Sequence, residues 1–319
     1  MMNCIVCAIA KQENIYVYEW AKHHLNIGFS HIHIYDNNNI DGESIADVFR
    51  GTDIDNQITI HDVRGKACMQ LVVYQQCYDN EDFDWCAFID IDEFITLVEP
   101  SMCIQKFLSN KTQFDAIHLN WLCYGDNEQI TSDGRPVRER FKHPIKPINF
   151  KSQYVLIPDN AHVKSILQKG RNLVWDTHSQ ILSWSNPHTP GNVKLVCNEL
   201  GNRIINSPWN ALNHQVCFIA HYITKTISEY SVKVQRRSAD HNRYYHSYVR
   251  FFTYNKLTLR KVMQIKKLSS EIKVHSILID LLKWKLIYGK TLLSRFLKKY
   301  RRKVKEEMQI LDRVKATIK

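Results

Sequence analysis

Three carboxylates crowd into four residues of an otherwise apolar run, Phe88-Ile89-Asp90-Ile91-Asp92-Glu93-Phe94-Ile95. Ala87 to Ile91 is apolar enough for a central strand, yet acids this close repel one another in a dry interior, so something positive has to face them. Both conditions are met where a strand of an open α/β sheet ends, because ligands of such sheets collect outside the carboxyl ends of the strands. Hard carboxylate oxygens at that place favour Mg²⁺ or Mn²⁺, held by one or two carboxylates together with substrate phosphates. Asp90 and Asp92 are therefore expected at a metal and a diphosphate, where the ion neutralises charge on the leaving group. An exposed acidic turn is the competing reading, and it leaves the apolar residues on both sides of the acids unexplained.

The surroundings support a sheet. Over the first 125 residues strand and helix signals alternate, as in a parallel sheet with crossover helices. Cys4 to Ala10 is a short apolar run, and Ile15 to Asn26 has helical spacing with Gly28 as its stop. His31 to Tyr35 is rich in strand formers and ends in the turn-forming Asp36, Asn37, Asn38, Asn39; Asp41 and Ser44 can cap a short helix through Phe49. Ile58 to Val63, Trp85 to Ile91 and Ala116 to Cys123 read as further strands, and Ala67 to Tyr78 as a helix. From Tyr124 to about Ile219 the sequence is punctuated by prolines and reads as loops and short strands, where specificity tends to reside.

Charge is placed unevenly. The chain carries a net +11, but residues 256–319 hold 19 Lys and Arg against 5 Asp and Glu, so the remainder is about −3. With Trp284, Ile287, Leu293, Phe296 and Leu297 on apolar helical faces, this tail suits peripheral contact with the inner face of an anionic membrane; packing on the catalytic domain or a second subunit is the alternative. Nucleic acid is disfavoured, since the tail has no base-reading motif and the rest is slightly acidic. The apolar Cys4 to Ala10 stretch lacks a basic leader and no run is long enough to span a bilayer, so a cytoplasmic location is expected. The 9 scattered cysteines fit a reducing compartment; Cys4 and Cys7, three apart in a strand, point to opposite faces and are not expected to form a zinc or redox pair.

Several ordered motifs together are more specific than the acidic run alone. Ala8-Ile9-Ala10-Lys11-Gln12-Glu13, Glu19-Trp20 with His24, His33-Ile34-Tyr35-Asp36-Asn37, Gln70 with Tyr74, and Phe88 to Phe94 resemble the motifs of bacterial glycosyltransferases related to family 2 and family 92. The resemblance continues through Trp121, Gly125, His162-Val163-Lys164-Ser165, Pro187-His188 and His221-Tyr222 with Lys225, covering about residues 3 to 237. Gln12 departs from it, standing where the family commonly has Asn.

That resemblance implies a GT-A fold, a Rossmann-like mixed α/β sheet flanked by helices; residues 1–255 are read as that catalytic domain, and the tail, which lies outside the resemblance, as a basic helical extension at 256–319. It implies that Ala8, Lys11 and Glu13 line the nucleotide pocket and that Asp36 and Asn38 bond base or ribose; a turn-forming role is the alternative for Asp36. Lys66 and Gln70 are expected to face the donor, or else to be solvated helix residues. His221, which interrupts an apolar run, is the candidate third metal ligand beside Asp90 and Asp92, with a packed structural histidine as the alternative. His162 with Lys164, and His188, are weaker candidates for acceptor or diphosphate contact. Inversion, which the resemblance favours, needs a base, for which Asp126 and Glu229 are candidates. The expected function is sugar transfer from a nucleotide-sugar donor, a UDP-sugar, to a glycan or lipopolysaccharide-type glycolipid acceptor. The alternatives are a nucleotidyltransferase, disfavoured because Ala8 to Asn14 contains no glycine, and a basic membrane- or nucleic-acid-binding adaptor on a degenerate transferase fold.

Overall fold

The computed structural model describes residues 2–146, 149–151, 156–171, 173, 189–236, 246, 248–256, 258, 260, 261 and 264. Most of the expected 256–319 extension, the Pro187-His188 motif and the apolar positions of the tail lie outside them. Among the described residues the strands are β1 (Cys4–Ala10), β2 (His31–Asp36), β3 (Ile58–Asp62), β4 (Trp85–Phe88), β5 (Glu93–Leu97), β6 (Ala116–Cys123), β7 (Asn149–Lys151), β8 (Leu156–Pro158), β9 (Val163–Gln168), β10 (Val196–Cys197), β11 (Arg203–Ile204) and β12 (Cys217–His221). The helices are α1 (Asn14–Asn26), α2 (Ala46–Phe49), α3 (Gln70–Asn80), α4 (Ile104–Leu108), α5 (Val137–Arg140), α6 (Ile227–Gln235) and α7 (Tyr248–Tyr254).

By internal contacts the chain divides into two compact units. The first, Met1–Tyr124 with Arg135–Ile223 and Arg237–Arg243, holds the sheet. The second, Gly125–Gly134 with Thr224–Arg236 and Tyr244–Lys319, contains α6 and α7.

The main sheet has the order β11-β10-β6-β9-β4-β1-β2-β3, and β12 joins β6 while carrying β5. β3, β2, β1 and β4 are parallel; β9 is antiparallel to both β4 and β6. This is the mixed α/β sheet flanked by helices expected of the GT-A type. β1 is fully buried because both its faces are covered. Cys4, Val6, Ala8 and Ala10 pack in one cluster with Val17, Trp20 and Ala21 of α1, whereas Ile5, Cys7 and Ile9 join Val73, Tyr74 and Cys77 of α3 in the other. Cys4 and Cys7 thus lie on opposite faces, and all nine cysteines are free thiols.

Gly28 stops α1 as its position suggests. It adopts φ +107°, and the Phe29 N–H reaches back to His24 O at 3.1 Å while the Gly28 N–H reaches Leu25 O at 3.0 Å, the paired bonds of a Schellman ending. Two boundaries differ from expectation by three residues. The fourth strand stops at Phe88 rather than Ile91, because the backbone reverses through a turn in which the Glu93 N–H donates to Asp90 O at 3.1 Å, and β5 begins at once. The helix expected from Ala67 starts at Gln70, behind Cys68 with φ +56°, a value no helical residue adopts.

Three side chains of α1 grip β5. Trp20 Nε1–H donates to Glu93 O at 2.8 Å. His24 Nδ1 faces Trp20 O at 2.8 Å and must donate to it, which leaves Nε2 to accept the Ile95 N–H at 3.2 Å. His23 accepts from Arg138 through Nδ1 at 2.7 Å, so its Nε2–H donates to Ile95 O at 2.7 Å. Both rings are therefore neutral, each in one tautomer.

Burial, together with the Arg138 charge, lowers His23 to about 4, and burial alone lowers His118 to about 3. A histidine held neutral gives its full stabilisation above its unfolded value near 6.5; this is lost as pH falls toward the folded value, by about 1.4 kcal/mol for every tenfold rise in proton activity. We expect the melting temperature to fall between pH 6.5 and 4, and His23→Gln to flatten that dependence. A pH-independent melting temperature across this window in the parent would contradict the neutral assignments.

Candidate active site

Sheet register assembles the acidic turn. β5 pairs antiparallel with β12 so that Glu93 stands opposite His221, and β12 pairs parallel with β6 so that His221 also stands opposite Cys123. The Tyr222 N–H closes the arrangement on Asp92 O at 2.9 Å. Meanwhile β9, running the other way, begins where β4 ends, and its second residue is Lys164. Asp90, Asp92, Glu93, Lys164 and His221, drawn from separated segments of the chain, thereby share the carboxyl edge of the sheet.

Lys164 answers the electrostatic problem posed by the acids. Its side chain is 1% exposed, and Nζ lies 2.9 Å from Asp90 Oδ2 and 3.1 Å from Glu93 Oε2. Glu93 is fully buried, and its Oε2 also accepts the Asp90 N–H at 3.0 Å. Burial pushes the Glu93 carboxyl up to about 7, with Lys164 opposing the rise and Asp90 adding to it. The counter-charge expected from a metal is thus supplied in part by the chain itself. On the other oxygen of Asp90, Gln70 Nε2 donates to Oδ1 at 3.2 Å and also reaches the Tyr74 hydroxyl at 3.3 Å. Gln70 is therefore a buried partner of Asp90 and not a solvated helix residue.

Asp92 and His221 face each other, His221 Nε2 standing 3.7 Å from Asp92 Oδ1, and both residues are 7% exposed. The opposite ring nitrogen of His221, Nδ1, is buried with no hydrogen-bond partner among the described residues. A carboxylate and an imidazole so placed fit a hard or borderline divalent ion that completes its shell with phosphates and water. Asp90, with Lys164 on one oxygen and Gln70 on the other, is tied into the same edge. Trp121 of β6 packs edge-on against His221, ring centres 4.4 Å apart, and stacks on His162 at 4.9 Å; Trp209 meets His162 from another side at 5.7 Å.

The other residues expected at the donor fall as follows. Ala8 is fully buried within β1. Glu13, 6% exposed, precedes α1, and its carbonyl accepts the Tyr16 N–H at 2.9 Å; Lys11 is half-buried in the loop before it. Asp36 Oδ1 accepts the Asn38 N–H at 3.0 Å and Oδ2 the Ile45 N–H at 2.8 Å, so Asp36 shapes the loop after β2. Asn38 ties that loop to the one after β1: Oδ1 accepts the Gln12 N–H at 2.5 Å and Nδ2 donates to Asn14 Oδ1 at 2.9 Å. Gln12 itself has φ +52°, a left-handed conformation in which asparagine is favoured, which gives a physical reason for the residue usual at this place in the resembling proteins. Lys66 is exposed, and its carbonyl accepts from Asn37 Nδ2 at 2.8 Å.

The two candidate bases belong to the second unit. Glu229 closes a capping box on α6: its Oε2 accepts the Thr226 N–H at 3.0 Å while its own N–H donates to Thr226 Oγ1 at 3.2 Å. Asp126, 3% exposed, pairs with Lys261 through Oδ2 at 2.5 Å and accepts the Glu128 N–H at 3.0 Å through Oδ1; burial raises its carboxyl, with Lys261 opposing.

Residues 3–274 match the profile of Glycosyltransferase family 92. The chain belongs to that family. No curated protein matches it. Among solved structures, S. aureus TarS is 14% identical over 52% of this family 92 chain and 28% of its own, with a TM-score of 0.30. HddC from Yersinia pseudotuberculosis is 12% identical over 54% and 71% of the two chains at a TM-score of 0.29. S. aureus TarS 1-349 in complex with UDP-GlcNAc is 13% identical over 52% and 45% at 0.28. The chain thus matches less than half the length of the TarS structures, and likeness at these scores carries no functional weight.

The sequence alone does not reveal the Lys164–Glu93 contact, although it holds a signal for it. In Val163-Lys164-Ser165-Ile166-Leu167 a lone charge sits inside a strand-forming run, and a buried lysine needs an acid. Replacing Lys164 by Met should destabilise the family 92 protein by about 3–5 kcal/mol in urea unfolding, since it strands the buried Glu93 carboxylate. Adding Glu93→Gln should recover a large part of that loss. Equal stability of the double and single variants would show that the charges do not interact.

Proposed function

We propose that this family 92 member transfers a sugar from a nucleotide-sugar donor, a UDP-sugar, to a glycan or glycolipid acceptor, with Mn²⁺ or Mg²⁺ held by Asp92 and His221. The observation that carries the reading is the register of β5 and β12, which sets a carboxylate and an imidazole 3.7 Å apart at the carboxyl edge of the sheet. Family membership supports the transfer chemistry. A divalent ion bound there would supply Lewis-acid neutralisation of a leaving diphosphate. The chain's own residues supply the rest. Gln70 and Lys164 fix the Asp90 carboxylate in one orientation, and the buried Lys164 ammonium adds positive potential where phosphate charge builds. The rings of Trp121 and Trp209 around His162 offer apolar faces against which a sugar ring can lie.

Asp92→Asn and His221→Ala should each lower Mn²⁺-dependent sugar transfer or donor hydrolysis by at least about 100-fold, the scale of one lost electrostatic contact in a dry site. Both should keep the parent's unfolding profile without metal. A panel of nucleotide sugars scored for Mn²⁺-dependent turnover reads this directly; binding that survives both chelation and Asp90→Asn, with no turnover of any donor, would favour the adaptor.

For the base of an inverting transfer we propose Asp126 over Glu229, whose carboxylate and N–H are both engaged in the capping box of α6, while burial raises the Asp126 carboxyl. Asp126→Asn should reduce kcat by about 10²–10⁴-fold. Glu229→Gln should leave kcat near the parent's, since glutamine also completes a capping box. The opposite ranking would exchange the two roles. The tail's excess of 19 Lys and Arg over 5 acids supports peripheral contact with an anionic cytoplasmic membrane face, at which a lipid-linked acceptor would be met.

A further inference from the structure

Apart from the acidic turn, three metal-ligating side chains converge on one point. His33 lies in β2, His61 in β3, and Glu81 directly follows α3. His33 Nδ1 and His61 Nε2 are 3.1 Å apart; Glu81 Oε2 stands 3.6 Å from the first, and Glu81 Oε1 stands 3.9 Å from the second. Among the described residues this is the one group of three His, Cys, Asp or Glu whose ligand atoms all lie within 4.8 Å of one another. We propose that His33, His61 and Glu81 form a site for a borderline transition-metal dication, Zn²⁺ by preference, separate from the Asp92–His221 pair.

Hydrogen bonding alone accounts poorly for this geometry. Two imidazole nitrogens can share one proton at 3.1 Å, but the carboxylate is beyond hydrogen-bond distance of both rings while directed at both. Four-coordinate zinc with bonds of about 2.0–2.2 Å places its ligand atoms about 3.3–3.5 Å apart, close to the 3.1 Å between the two ring nitrogens and the 3.6 Å from His33 Nδ1 to Glu81 Oε2. Two imidazoles and one carboxylate form the donor set of an open zinc site, with a fourth position left for water, whereas Mg²⁺ and Ca²⁺ take oxygen shells.

The ligands stand on fixed elements. In the β2–β3 ladder Tyr35 is opposite His61 and His33 is opposite Thr59, so the two histidines lie diagonally on one face of the sheet. The Tyr35 ring stacks on His61 with centres 4.3 Å apart and planes 13° from parallel. The backbone of Glu81 is held by its N–H on Cys77 O at 3.1 Å and by Lys169 Nζ on its carbonyl at 2.8 Å. The His61 and Glu81 side chains remain 29% and 26% exposed, which gives an ion a way in. A metal here would clip the edge strand β3 to β2 and to the end of α3.

The test uses the full chain in an Asp92→Asn, His221→Ala background, stripped with chelator and titrated with Zn²⁺ by calorimetry and with Co²⁺ by visible absorption. One equivalent of Zn²⁺ should bind, Co²⁺ should give d–d bands of low coordination number, and Mg²⁺ should not compete. Adding His61→Ala or Glu81→Gln should weaken Zn²⁺ binding by at least about 100-fold, since loss of an outer-shell partner already costs about 10–100-fold. Zn²⁺ should raise the melting temperature of the background protein but not of these variants, which should match it in far-UV circular dichroism and in melting with chelator present. Zinc binding unchanged by both substitutions, or absent from the background protein, would overturn the site; neither result depends on sugar transfer.

Discussion

Burying the Glu93 carboxylate beside the part-exposed Asp90 costs several kcal/mol unless a counter-charge lies within a few ångströms. Lys164 is that counter-charge, at 3.1 and 2.9 Å, and it comes from a strand more than seventy residues downstream. The acidic turn and the antiparallel strand β9 therefore require one another. Without Lys164 the buried Glu93 would lack its counter-charge at the point where β5 starts and pairs with β12. Because β12 carries His221, the electrostatic contact also governs whether Asp92 has an imidazole to face.

Helix α1 secures the same turn from the other side. Trp20, His23 and His24 hold the backbone of β5 through bonds whose donors and acceptors are fixed by the two neutral imidazoles. Glu19 extends the grip, accepting the Val137 and Arg138 N–H groups at 2.7 and 3.1 Å at the start of α5. Protonating either histidine would turn an acceptor into a donor facing a donor. The same helix face thus links stability to pH and holds in place the segment that bears the acids.

Much of the sheet is legible in the sequence because β1 to β4 and β6 are apolar, regularly spaced and bounded by turn residues. β5 is hidden, since three acids at its head mask a strand that turns back after only four residues. β9 and β12 are hidden for another reason: each is defined by partners far away, and a short run such as Val163 to Gln168 carries no sign that it will insert between β4 and β6. In the site, Asp90, Asp92, Gln70 and His221 are legible as residue types in a resembling order, and the structure brings them to one edge. Lys164 reads in the sequence as a contact for acceptor or phosphate, and its partnership with Glu93 becomes visible only with the register. Asp36 and Asn38 show the limit of reading polar residues at a strand end, because the loop takes their side-chain bonds for itself.

The insertion of β9 also sets the order in which a growing chain can close. β4 bonds to β1 on one edge, and its other edge is covered by residues 163–168, so it stays open until β6 and the loops beyond it have been made. An uncovered edge of apolar strand is where a second nascent copy can add. On a ribosome the interval between finishing Phe88 and releasing Gln168 is then a period in which that strand edge is open to pairing with a neighbour.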